Sequence, residues 1–237
     1  MQDNKSSYSH IRKYYDQFSK SYDKKRTQGY FEFINRLEAQ LVLELCRDKK
    51  VLEVGCGTGV ILEKIASQAK RAAGVDLSPE MVARARDKGL EAYQANATKI
   101  GFKDNSFDLV YSFKVLAHIP QAREAISEIR RVCKPKGLMI LEFYNPYSIK
   151  FIVNKISTLF SHNTVYIRYD AISEIQGYLG DDLEIERVRG VRIITPAALI
   201  LKIPVISKLF RVLEQRLCDT GLKWFGGYFV VVVRNNG

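Results

Sequence analysis

Short apolar runs alternate with helical patterns between Lys50 and Phe143. Val51–Val54, Ala72–Val75, Phe107–Ser112 and Leu138–Phe143 read as strands, and Glu91–Ala95 as a weaker one. Between them, apolar residues recur at helical spacing over Val60–Ala69, Pro79–Lys88 and Gln121–Cys133. Strands separated by helices predict βαβ units on a parallel sheet. Ser78 is placed to cap the second helix, with Pro79 at its first position. Lys134-Pro135-Lys136-Gly137 marks a turn into Leu138–Phe143.

The flanks have a different pattern. Ser6 to Cys46 is helical and rich in tyrosine. After Phe143 come two helical patterns, Ile149–Phe160 and Asp170–Leu179, then a strand pattern, Leu183–Val188. In ALILKIPVISKLFRVLEQRL, the residues Leu199, Ile203, Ile206, Phe210, Leu213 and Leu217 form one helical stripe, with Lys202, Lys208, Arg211 and Arg216 interleaved. Pro204 is expected to begin a helix there rather than lie within one. A last strand, Tyr228–Val233, follows Gly226-Gly227.

The chain has 237 residues, enough for one sizeable core, and its hydrophobic content of 46% is that of an ordinary globular protein. Cys46, Cys56, Cys133 and Cys218 are scattered without metal-ligand or redox spacing, so reduced buried thiols and no metal are expected. The start of the chain is polar and no apolar run approaches the ~18 to 20 residues of a membrane span, which points to a cytoplasmic protein. The formal charge of +11 suits an anionic partner, such as RNA or an anionic membrane surface, or simply keeps the protein soluble.

The stretch VLEVGCGTGVILEKIA carries the candidate chemistry. Gly55, Gly57 and Gly59 form a strand-to-helix turn that lets backbone approach a ligand closely. A dinucleotide fingerprint needs a third glycine where Val60 stands, and a phosphate loop needs Gly-Lys followed by Ser or Thr, which is missing. Glu53, two residues before the first glycine, would repel a pyrophosphate and attract a cationic amino-acid ligand, directly or through water. Asp76 ends the next strand, where a carboxylate can accept ribose hydroxyls. Together these residues favour a nucleoside that carries positive charge and no phosphate.

In this light the chain resembles the class I S-adenosylmethionine-dependent methyltransferases, in order, from Val51 to Phe143. Val51–Gly59 resembles the family's first motif and GVDLSPEMVARAR the second, with Asp76 in the ribose position and Met81 near the adenine. QANATKIGFKDNSFDLVYSFKVLAHI resembles the adenine-edge motif and the strand after it, and RRVCKPKGLMILEF the segment that closes the core. The resemblance implies an α/β, Rossmann-like fold with a seven-stranded, mostly parallel sheet, an antiparallel last strand, a helical N-terminal cap and helical lid insertions. It implies one domain over residues 1–237, made of a cap (1–46), a cofactor-binding core (47–143) and acceptor-side insertions with the final strands (144–237).

The cofactor residues it implies are Glu53, Gly55, Cys56, Gly57, Thr58, Gly59, Asp76, Leu77, Ser78, Met81, Asn96, Ala97, Thr98, Ser112 and Phe113. Two positions depart from the family pattern. Asn96 stands where Asp is usual, though its amide oxygen can still face the adenine amino group, and Pro135-Lys136-Gly137 replaces the common Pro-Gly-Gly. YYDQFSKSYDKKR resembles a segment that precedes the core in many small-molecule methyltransferases, which makes Tyr22 a candidate cofactor contact and Tyr15 a weaker one, with simple packing of the cap as the plain alternative.

Methyl transfer needs no invariant catalytic motif, because the cofactor carries the activation. Candidate proton acceptors are His118, His162, Glu142 and Tyr144, with packing or solvent exposure as the plain alternative for both histidines. SEIRRVCKPKGLMILEFYNP and WFGGYFVVVVR are similar to segments of ubiquinone and menaquinone C-methyltransferases. A small, hydrophobic or lipid-like acceptor is therefore expected: a quinone, polyketide or lipid precursor. The basic amphipathic stripes, including Ile149, Ile152, Ile156 and Leu159, fit a lid over an apolar pocket and also a peripheral membrane contact. An RNA or protein methyltransferase rests on charge alone, and the Asn/Asp-Pro-Pro-Tyr motif of many nucleic-acid enzymes is missing at Ser112-Phe113-Lys114-Val115. A non-catalytic S-adenosylmethionine-binding subunit is the third class.

Overall fold

The structure is a computed structural model that describes residues 2–158, 166–194 and 204–237. Within these residues the strands are β1 Lys50–Val54, β2 Arg71–Asp76, β3 Glu91–Gln94, β4 Phe107–Ser112, β5 Cys133–Tyr144, β6 Leu183–Val191 and β7 Tyr228–Asn235. They form one seven-stranded sheet in the order β3-β2-β1-β4-β5-β7-β6. β7 runs antiparallel to both β5 and β6, and the other neighbours are parallel. This is the mostly parallel sheet with an antiparallel last strand that the resemblance implied.

The helices are α1 Gln2–Arg26, α2 Gly29–Leu43, α3 Leu62–Ala66, α4 Pro79–Asp87, α5 Ala122–Val132, α6 Ile149–Thr158, α7 Ile172–Leu179 and α8 Pro204–Leu217. One face of the sheet packs on α2 and α3, the other on α5 and α7. The central strands are therefore covered on both sides, which is why β1 and β4 read as apolar runs and not as alternating ones. α5 buries Ala122, Ala125, Ile126, Ile129 and Val132 against the sheet and leaves Arg123 exposed. All four cysteines are buried and unpaired.

Some boundaries differ from the sequence reading. The helix expected over Val60–Ala69 shortens to α3, because the turn still has a positive φ at Gly59 and the far end closes with a tight bond from Gln68 N–H to the Ile65 carbonyl. The turn at Lys134–Gly137 becomes a bulge inside β5: Phe107 pairs with Cys133, the next pair is Leu109 with Leu138, and Lys136 takes φ 62° between them.

The amphipathic stripes also rotate. α8 begins at Pro204 as expected, while Leu199, Lys202 and Ile203 lie outside the described residues, as does the side chain of Ile206. The inward face of α8 carries Ser207, Phe210, Arg211, Glu214 and Leu217, and Leu213 faces out. Glu214 is the reason: its buried carboxylate accepts the N–H groups of Ile193 (2.5 Å) and Ile194 (3.1 Å), which nothing apolar at that place would satisfy. In α6, Ile149 and Ile152 face solvent and Lys150 faces in; Leu159, Phe160 and the side chain of Ile156 lie outside the described residues. The lid expectation fails for Ile149 and Ile152.

Candidate active site

The glycine turn leaves β1 with φ 81° at Gly55 and 53° at Gly57, conformations that favour glycine. Space gives a second reason at Gly55, where a Cβ would stand 2.0 Å from Val115 Cγ2. Gly57 is different. A Cβ there would meet only the Tyr22 ring, at an ordinary 3.7 Å, so the turn presents open space beneath that tyrosine. The N–H groups of Gly55 and Cys56 both donate to the Val75 carbonyl, tying the turn to β2.

Asp76 ends β2 at the centre of the site. Its Oδ2 accepts the Gly57 N–H (2.8 Å) and its Oδ1 the Ser78 N–H (2.9 Å). Burial pushes the Asp76 carboxyl up from its ordinary range, and these backbone donors pull it back. Each oxygen keeps acceptor capacity for a further donor. Ser78 caps α4 as expected, accepting the Met81 N–H at 3.1 Å.

A cleft of two lobes, about 410 and 660 Å³, runs over these residues, both lobes sharing Ile11, Gly55, Asp76, Leu77 and His118. The first lobe is an apolar slot between Val54, Val75, Ala97 and Ile119, with the Asn96 amide at its edge. Asn96 Oδ1 accepts the Thr98 N–H at 3.0 Å and retains a second lone pair. The second lobe is aromatic and basic, lined by Tyr15, Tyr22, Arg26, Phe113, Lys114 and Tyr144, together with Gly57 and Met81.

α1 roofs both lobes. Tyr8, Ile11, Tyr15, Tyr22 and Arg26 fall on one helical face and line the cleft. The helix is latched to the core by polar contacts: Ser78 Oγ–H donates to Asp16 (2.5 Å), the Thr58 hydroxyl donates to Asp23, and Lys88 pairs with Asp23 (2.9 Å). Tyr8 donates to Gln121 at 2.7 Å. Two cations reach the second lobe in different states. Lys114 is held by the Glu38 carboxylate and by Asn35 Oδ1 (3.2 Å). Among the described residues Arg26 has no carboxylate partner; its guanidinium lies over Phe31 (4.3 Å to the centroid) and near Tyr22 (5.6 Å) and Phe18 (5.9 Å).

The sequence-predicted residues divide accordingly. Tyr22, Gly55, Gly57, Asp76, Leu77, Met81, Asn96, Ala97 and Phe113 line the cleft. Glu53 does not: its side chain turns inward, accepts the Tyr111 hydroxyl at 2.9 Å, and burial pushes its carboxyl up to about 8. Cys56 packs its thiol behind the turn against Val82, Ala85 and Ala92, and Ser112 donates to the Val54 carbonyl. Thr58, Gly59, Ser78 and Thr98 shape the walls without lining the cleft.

Of the proton-acceptor candidates, His118 and Tyr144 line the cleft. Glu142 is buried beneath it, accepts the Lys114 N–H at 3.1 Å, and is pushed well above the ordinary carboxylate range by burial and by neighbouring Glu38. His162 lies outside the described residues.

Tyr8, Ile11, Arg26, Lys114 and Val115 were not anticipated. For Tyr8, Ile11 and Arg26 a signal existed: they share the three- and four-residue spacing that puts Tyr15 and Tyr22 on one helical face. Lys114 carries no such periodicity.

The profile of the methyltransferase-domain family matches residues 52–141. An uncharacterized protein of Methanocaldococcus jannaschii is 34% identical over 148 residues, 62% of this chain and 56% of that one. A phosphatidylethanolamine N-methyltransferase of Cereibacter sphaeroides is 37% identical over 103 residues, 40% of this chain and 50% of that one. The chain thus spans about half the length of the curated relatives it matches. Among solved structures, magnesium protoporphyrin IX methyltransferase from Synechocystis, with bound S-adenosylhomocysteine, superposes with a TM-score of 0.67 at 17% identity, covering 96% of this chain and 99% of that one. With the sheet order, the glycine turn and the Asp76 carboxylate, these likenesses support a class I S-adenosylmethionine-dependent methyltransferase fold, and residues 52–141 match the methyltransferase-domain family.

Proposed function

We propose that this protein transfers the methyl group of S-adenosylmethionine to a small, hydrophobic or lipid-like acceptor. The observation that carries the reading is the two-lobed cleft hinged on Asp76, one lobe an apolar slot and the other aromatic and basic. The residues fit the cofactor. The slot and the Asn96 amide suit adenine, the Asp76 oxygens suit the ribose hydroxyls, and the open turn at Gly57 lets the amino-acid portion pass beneath Tyr22. Arg26, which has no carboxylate partner among the described residues, suits the α-carboxylate in a planar, bidentate fashion.

When bound, S-adenosylmethionine supplies a methyl group already activated on a sulfonium. The protein's part is to hold the acceptor in line, exclude water and accept a proton where the acceptor must lose one. Tyr15, Tyr22, Phe113 and Tyr144 give the second lobe an aromatic wall suited to a planar or apolar acceptor. His118 is the proton acceptor. Its Nδ1 lies 2.8 Å from the Tyr166 carbonyl, so Nδ1 carries the hydrogen and Nε2 keeps its lone pair. Burial lowers the His118 pKa below its ordinary 6.5, which keeps the ring neutral at pH 7. Tyr144 stays a neutral phenol, since burial pushes its pKa well up.

Incubation with methyl-labelled S-adenosylmethionine and cell extract, followed by partition, tests the function. Label in the organic phase supports the hydrophobic acceptor. Label in nuclease-sensitive, acid-insoluble material would mean an RNA substrate, and tight cofactor binding without any transfer would mean a non-catalytic subunit. With the labelled product in hand, His118→Gln should lower its rate of formation about 10²- to 10⁴-fold at saturating S-adenosylmethionine. Because the active ring is neutral and its pKa is depressed, the wild-type rate should fall only as pH drops below about 6.5. A flat acid limb, or a variant as fast as wild type, would remove His118 from that role.

A further inference from the structure

The polypeptide that leaves β5 is stapled to the segment that enters β7. Asn145 is buried, and its Nδ2 donates to the carbonyls of Trp224 (2.8 Å) and Gly226 (2.7 Å), while its backbone N–H donates to Gly227 (3.2 Å). Its Oδ1 accepts the Tyr147 N–H at 2.9 Å, and Ser148 Oγ accepts the Phe151 N–H at 3.1 Å where α6 begins. Residues 145–152 and 221–227 are thereby joined by backbone and amide contacts, and apart from Phe151, which packs on Tyr169, their large apolar side chains are left outside.

Those side chains are Tyr147, Ile149 and Ile152 from the first stretch and Leu222, Trp224 and Phe225 from the second, all exposed. Tyr147 is 70% exposed, and Ile152 and Phe225 are each 58% exposed. Isolated apolar residues on a surface need no explanation, but a cluster on two stapled segments does. The charge on the two stretches has one sign. The two stretches contain no aspartate or glutamate; Lys223 is half-buried, Lys155 is exposed further along α6, and Lys150 turns inward. Lys223 lies 5.2 Å from the Trp224 ring centroid. Aromatic and aliphatic tips beside Lys223 and Lys155, on stretches without an acid of their own, are a composition that settles into the interface of an anionic bilayer.

We infer that Tyr147, Ile149, Ile152, Leu222, Trp224 and Phe225 form a docking surface for an anionic lipid bilayer. No described helix is long and apolar enough to cross a membrane, so the contact is made at the surface. The same helix links that surface to the acceptor lobe. On the inner side of α6, Lys150 is 8% exposed and lies 3.5 Å from the centroid of Tyr144, which lines the cleft, and 4.4 Å from that of Tyr228. Docking therefore brings the second lobe close to the bilayer, and a lipid-like acceptor reaches it without crossing water. That use of the surface rests on the methyltransferase reading; the docking itself does not.

Trp224 is the single tryptophan, so its fluorescence reports on the surface directly. Vesicles of equal parts phosphatidylcholine and phosphatidylglycerol should shift its emission to the blue and carry the protein down on sedimentation, and phosphatidylcholine alone should do neither. Phe225→Glu and Ile152→Glu should each weaken that partition on the order of 10-fold, while leaving S-adenosylhomocysteine affinity unchanged. Binding undiminished in both variants, or no binding to the anionic vesicles, would overturn the inference. A blue shift that grows with protein concentration without vesicles, together with a dimer on gel filtration, would assign the surface to a second copy and overturn it too. Failure of the methyltransferase reading would appear elsewhere, as wild-type protein that does not bind S-adenosylhomocysteine.

Discussion

Gly57→Arg is expected to abolish binding of S-adenosylhomocysteine, at least ~100-fold by titration calorimetry, in a protein that still folds. Two features of Gly57 separate the effect on the ligand from the effect on the fold. Its φ of 53° costs an L-residue only about 1 to 2 kcal/mol, and Lys114 and Lys136 already adopt similar angles in this chain. A Cβ there meets nothing closer than the Tyr22 ring at 3.7 Å. The remainder of an arginine side chain, however, has only the cleft to enter. Gly55 offers no such separation, since even a Cβ would collide with Val115 and damage the turn itself. Circular dichroism establishes that the variant is folded. Unchanged affinity in a folded variant would refute the location of the cofactor site.

Arg26→Leu should weaken S-adenosylhomocysteine about 10- to 100-fold and leave 5′-methylthioadenosine unaffected. The second compound has the adenosine and sulfur but no amino-acid portion, so it cannot feel the loss of a carboxylate partner. The magnitude is that of a charge-assisted hydrogen bond, about 1.5 to 3 kcal/mol. Lys114 cannot substitute, because its ammonium is engaged by Glu38 and Asn35. The three aromatic rings around Arg26 define the opposing outcome. If both ligands weaken equally, Arg26 merely holds α1 against the core. Arg26→Lys, which keeps the charge but loses the planar fork, should recover part of the affinity for S-adenosylhomocysteine only.

Asp76 and Glu53 show how far the motif could be read. Both are carboxylates at the ends of neighbouring parallel strands, and the sequence reading gave each a ligand. Asp76 faces the cleft, held by two backbone donors from the turn and the next helix. Glu53 is buried toward Tyr111, a residue 58 positions away whose hydroxyl gives it a partner. The register pairs Glu53 with Gly74, two residues before Asp76, so alternation puts both carboxylates on one face and does not tell which one the cleft will reach. The same limit explains α8. Its stripe was legible as a helix, yet the buried face turned toward Glu214, because two unpaired N–H groups at Ile193 and Ile194 required an acceptor there.

The sequence by itself determined what short-range chemistry controls. Runs of apolar residues at strand and helix spacing specified the βαβ order, glycines specified the turn after β1, and Ser78-Pro79 specified where α4 starts. The tertiary structure alone decided what depends on partners distant along the chain. It placed α1 over the cleft through Asp23 and Thr58, 35 residues apart, and neutralised Lys114 with Glu38, 76 residues apart, while leaving Arg26 among rings. Periodicity and backbone angles are properties of a few neighbouring residues, whereas the burial and pairing of a charge are settled only when separate elements pack, because its desolvation must then be offset by whichever partner the packing brings.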